Sequence, residues 1–193
     1  MGKKINILIP LLFLLIFPAF GQKKFEQEIR IHSKEVPQNA LQVVDYFNLS
    51  KKKVKWYREI GIGGSSIEAK LPQKPGKYSI EFSADGIFED IEVDIPYTSI
   101  TALIKNKLSH HLDSLFNTYT VEKTQAQYSG DPQIIAQKFN SNMDDHSIQI
   151  KYELVVNTKL RGTFKQYECL FSEQGDLINY TEIAQKNMDH IEY

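Results

Sequence analysis

Apolar residues alternate with polar ones along most of the chain, and the period switches from two to helical in three places. Phe25 to Ile31 reads as a short strand. Val36, Ala40, Leu41, Val44 and Phe47 then recur at helical spacing, with Pro37 in the first turn, where a missing N–H leaves nothing unsatisfied. Val54, Trp56, Ile60 and Ile62 alternate and predict a strand over 53–62, followed by another over 66–71. Tyr78, Ile80 and Phe82 alternate up to Asp85-Gly86, a hairpin turn. The return strand sets Ile87, Ile91, Val93 and Ile95 on one face and Phe88, Asp90, Glu92 and Asp94 on the other. Beyond Pro96, Ile100, Ile104, Leu108, Leu112 and Phe116 predict a helix over 98–116, with a strand near 118–128. Asp131-Pro132 opens a third helix, over 131–145, with Asp as cap and Pro at its first position. Strand 147–157 and a hairpin from Tyr167 through Gly175 to Ile183 complete the map.

Two stretches of this map repeat. Tyr78, Phe82, Ser83 and Gly86 line up with Tyr167, Phe171, Ser172 and Gly175 at an offset of 89, and an apolar residue follows each Gly by two. Each hairpin lies downstream of an amphipathic helix. The pattern predicts an α+β fold, with helices packed on one face of antiparallel β-sheet.

Residues 1–21 stand apart. Lys3 and Lys4 precede about 14 apolar residues, Ile7 to Phe20, and Ala19 and Gly21 offer small residues for cleavage before Gln22, the shape of a secretory signal peptide. The run is short of the ~20 residues a membrane span needs, and Pro10 and Pro18 interrupt it. A periplasmic or secreted location follows, with no membrane span after cleavage. Removing both lysines leaves 21 basic against 24 acidic residues, a net charge of −3. Cys169 alternates with Tyr167 and Phe171 and reads as a buried thiol.

The residues quoted above resemble the PepSY-like, β-lactamase-inhibitor-like family of exported bacterial proteins. The resemblance rests on Glu35-Val36-Pro37, the Trp56 strand and Ser66 to Ala69, then the Tyr78 hairpin with Asp85-Gly86, Glu92 and Ile95-Pro96. Tyr152-Glu153 and the Tyr167 hairpin extend it through the second half. It implies two tandem modules, 22–97 and 98–193, and binding or inhibition in place of catalysis. The helix over 131–145 departs from that pattern.

The chemical motifs agree with a non-enzymatic reading. Gly61 to Ser66 lacks the Lys-Ser/Thr of a phosphate loop and runs into a strand. His110 and His111 are adjacent on a helix and diverge, and Asp144-Asp145-His146 has no partner at ligand spacing. No cofactor and no metal site is expected. Charge is more informative: Lys51, Lys52, Lys53, Lys55 and Arg58 surround Trp56 and Tyr57, whereas Tyr78 to Ile104 holds six acidic residues and no basic one. Export and the net negative charge disfavour nucleic acid as a partner. With helices on one sheet face, Lys55, Tyr57, Phe88, Asp90, Glu92 and Phe164 are expected on the other, where aromatic anchors and mixed charges suit a protein or peptide partner. The implied function is an exported binding module, with inhibition of an envelope hydrolase as its narrower form. A small-ligand or metal-sensing periplasmic module is the alternative.

Overall fold

The computed structural model describes residues 26–47, 54–61, 63–72, 77–141, 145–160 and 162–184. The expected signal peptide and the basic residues Lys51, Lys52 and Lys53 lie outside them. In chain order the elements are β1 (Glu26–Ile31), α1 (Gln38–Tyr46), β2 (Lys55–Gly61), β3 (Gly64–Pro72), β4 (Lys77–Ser83) and β5 (Phe88–Asp94). There follow α2 (Ala102–Leu115), β6 (Tyr119–Ser129), α3 (Pro132–Ser141), β7 (Gln149–Leu160), β8 (Thr163–Ser172) and β9 (Leu177–Ile183). All nine strands form one sheet in sequence order, each antiparallel to its neighbour.

This topology overturns the expected α+β fold of two tandem modules. Strands take 52% of the described residues and helices 27%, and the sheet crosses the middle of the chain without a break. β5 pairs with β6 from Ile91↔Tyr128 to Asp94↔Gln125. The physical reason lies in what α2 connects. Val93 and Ala126 face each other and are both buried, so the strand leaving α2 covers the β5 edge that would otherwise end a module.

Cross-strand register decides which side chains share a face. Trp56, Ala69, Ile80, Ile91, Tyr128 and Ile150 form one row over β2 to β7. Ala40 and Val44 of α1 close over this row, with Ile67 and Phe82 beside it. Val93, Ala126, Tyr152 and Phe171 form a neighbouring row on the same face, near which Leu108 and Leu112 of α2 pack on Leu154, Val156 and Cys169. Burial pushes the Cys169 thiol up to about 12, aided by the carboxylates of Glu168 and Glu153, which leaves it protonated and unreactive. α3 follows β6 in sequence but packs back against the first cluster through Ile135 and Ala136. Its Phe139 ring meets Phe47, Tyr78 and Tyr128 at 6.2, 5.9 and 5.1 Å.

The two repeated hairpins share one turn geometry. In the first, the Gly86 N–H donates to the Ser83 carbonyl (2.8 Å), the Ser83 N–H to the Ile87 carbonyl (2.9 Å), and the Ile87 N–H to Ser83 Oγ (3.1 Å). In the second, Gly175, Ser172 and Asp176 make the same three bonds at 2.9, 2.9 and 3.1 Å. Both strands shift register at the equivalent step, Glu81/Phe82 and Leu170/Phe171. Each glycine has positive φ (78° and 84°), the conformation such a bulged turn needs.

Gly86 is also pressed against the N-terminal end of α1, where an added Cβ would lie 2.6 Å from both Pro37 Cβ and Asn39 Oδ1. Gly86→Ala is therefore expected to lower stability by at least about 1–2 kcal/mol from backbone conformation alone. Gly162→Ala, at similar φ with open space around it, carries only that backbone cost. Urea unfolding of both variants checks this, and equal losses would show that contact with Pro37 and Asn39 contributes nothing.

Candidate functional site

The sheet face opposite the helices is polar because strand alternation sends every second residue there. Across β2 to β5, Tyr57, Glu68, Glu81 and Asp90 stand in one row, and Lys55, Lys70, Ser79 and Glu92 in the next. β6 adds Gln125 opposite Asp94. Four of the expected site residues, Lys55, Tyr57, Asp90 and Glu92, are thereby brought onto one face.

The other two are not brought to the same place. Phe88 pairs with Phe82, and the register shift between Glu81 and Phe82 turns it onto the helix-covered face, where its ring meets Phe82 at 6.2 Å. Phe164 has the parity of the outer face, but it sits at the β7–β8 hairpin beyond β6 and β7. It is 71% exposed, with the Lys159 ammonium 5.4 Å from its ring.

Lys70 organises the β1–β3 end of the face. Its Nζ is 2.7 Å from Glu28 and 3.0 Å from Glu68, and lies 5.1 Å from the centre of the Tyr57 ring. Burial opposes its charge, but the hydrogen bond to Glu28 and the attraction of Glu68 outweigh this and hold its pKa well above the usual range. Carboxylate oxygens of Glu28, Glu59 and Glu68 lie within 4.8 Å of one another, a spacing at which three carboxylates can hold a cation. The cation that Glu28 and Glu68 share is the Lys70 ammonium.

On the same face, Glu81 is half-buried. Burial, together with the nearby charges of Glu68, Glu59, Glu92 and Asp90, pushes its carboxyl up to about 10, so it is protonated at neutral pH. Ser79 lies between two carboxyl groups, donating to Glu68 and standing 3.1 Å from Glu81 Oε1. A hydroxyl carries one proton, so a protonated Glu81 supplies the second proton this chain of contacts needs.

A cleft of about 310 Å³ opens beside this chain, with Tyr57 and Lys70 on one side and Asp94 and Gln125 on the other. Sequence reasoning missed Glu68, Glu81 and Gln125. Glu68 and Glu81 meet only through the β3–β4 register, and Gln125 lies in a stretch, Thr124-Gln125-Ala126, buried on both faces. Asp145, part of the acidic pair weighed as a weak ion site, accepts from the Ser147 hydroxyl and N–H at 2.6 and 2.8 Å, which holds its pKa low. Its neighbour Asp144 lies outside the described residues.

No protein-family model matches this chain, and no curated protein matches it. Among the described residues, no helix is long and apolar enough to cross a membrane.

Proposed function

We propose that the chain is an exported, non-enzymatic binding protein that recognises a protein or peptide through the sheet face opposite its helices. The observation that carries this reading is the convergence of Lys55, Tyr57, Asp90 and Glu92 on one face. Aromatic surface beside charges of both signs supplies anchoring and orientation to a macromolecular partner. The signal-like segment over 1–21 and the resemblance to PepSY-like, β-lactamase-inhibitor-like proteins support a periplasmic or secreted location. The same resemblance supports an envelope hydrolase as the partner.

The test is affinity capture from envelope extract with the wild-type chain and a Lys55→Glu/Glu92→Lys variant. Reversing both charges is expected to cut recovery of a specific partner about tenfold or more, because reversal replaces attraction with repulsion. Equal recovery by both proteins overturns the assignment to this face.

A further inference from the structure

We infer that the cleft over β2 to β6 binds a compact zwitterion, an aminocarboxylate such as a free α-amino acid. This inference goes beyond the recognition of a macromolecule and does not rest on it.

Gln125 carries the argument. It lines the cleft and is 3% exposed, and its Oε1 has no hydrogen-bond donor among the described residues. A buried acceptor without a donor is a deficit that a ligand N–H removes. Asp94 stands directly opposite it on β5, with Lys123 4.0 Å away, and Glu92 lies two residues along on the same face. Acceptors therefore gather on the β5–β6 side. An alkylammonium, with three donors and a positive charge, meets all of them.

The β2–β4 side carries three lysines beside Glu68. Lys55 and Lys77 line the cleft, and no described residue pairs with either, in contrast to Lys70, held by Glu28 and Glu68. Two such ammonium groups suit a carboxylate. Strands lie ~4.8 Å apart, so Lys77 on β4 stands ~10 Å from Gln125 on β6 across β5, with Lys55 farther out on β2. That span fits a ligand whose two charges are adjacent. A ligand of one charge satisfies one wall and leaves the other desolvated.

Thermal shift and titration calorimetry on the intact chain test this with the standard L-amino acids. Their Nα-acetyl derivatives, which lack the cation, and their carboxamides, which lack the anion, serve as controls. At least one free amino acid is expected to raise Tm, because a ligand that binds only the folded state must stabilise it. Its capped forms are expected to bind about 10- to 100-fold more weakly. Gln125→Leu removes an acceptor that has no donor and should leave the fold intact. It and the surface variant Lys77→Gln should each weaken binding by a similar factor. The assignment is overturned if no amino acid raises Tm, if capped and free forms bind alike, or if both variants bind as the wild type does. Dipeptides separate free amino acids from peptide ends as the source. Binding of dipeptides without any amino acid also overturns it.

Discussion

Glu81→Gln is expected to stabilise the protein by up to about 5 kcal/mol at pH 8 and to flatten the dependence of stability on pH. The folded carboxyl titrates at about 10 against 4.5 for the ordinary group, chiefly because burial disfavours its charge and because Glu68, Glu59, Glu92 and Asp90 repel it. Between those two values the folded chain keeps a proton that the unfolded chain has released. Stability from this group is complete below about pH 4.5 and falls as pH rises toward 10. The slope reaches about 1.4 kcal/mol per pH unit when one proton separates the two states. Glutamine keeps the shape and the neutral hydrogen bonding and releases no proton. Urea unfolding of both proteins from pH 5 to pH 9 checks this. Parallel curves would mean that Glu81 ionises freely in the folded chain.

Phe171→Ala is expected to cost about 3–5 kcal/mol, the range for truncating a fully buried aromatic side chain. The ring is fully buried in the cluster formed by Leu108, Leu112, Leu154 and Cys169, where β8 meets α2. The contrasting substitution is Phe164→Ala, seven residues earlier on the same strand. Phe164 is 71% exposed and touches one lysine, so its loss should stay within about 0.5 kcal/mol. A shift in the urea midpoint for Phe171→Ala with an unchanged slope reports a pure stability loss. A loss below about 1 kcal/mol would contradict its place in the core.

Local periodicity made most of the individual elements legible. The stripe Val36, Ala40, Val44 and Phe47 is buried, as is Ile100, Leu108, Leu112 and Phe116, because each helix has only one face to cover. The repeat at Tyr78 and Tyr167 also predicted a real likeness, down to the Ser83 and Ser172 hydrogen bonds. What was not legible was pairing between distant strands. An amphipathic helix of 14 residues between β5 and β6 looks like the start of a new unit, yet only the register Val93↔Ala126 tells whether the sheet stops or continues. The misplacement of Phe88 has a similar origin. Strict alternation puts it beside Asp90 and Glu92, and one bulge reverses it. The candidate site was half visible: Asp90 and Glu92 stand two residues apart on one strand, but the Glu68–Ser79–Glu81 chain forms only through the pairing of β3 with β4.

The return of α3 gives synthesis and folding different orders. A growing chain lengthens by ~5–20 residues per second, and the first five strands can pair as they emerge because each neighbours the last. Their cluster nevertheless lacks Ile135 and Ala136 until α3 has been made, and Ile148 until β7 begins. Phe47 and Tyr78 must wait for the Phe139 ring, made more than sixty residues later. Until then the first cluster keeps an open side, and its strands are easier to unfold than they are in the complete chain.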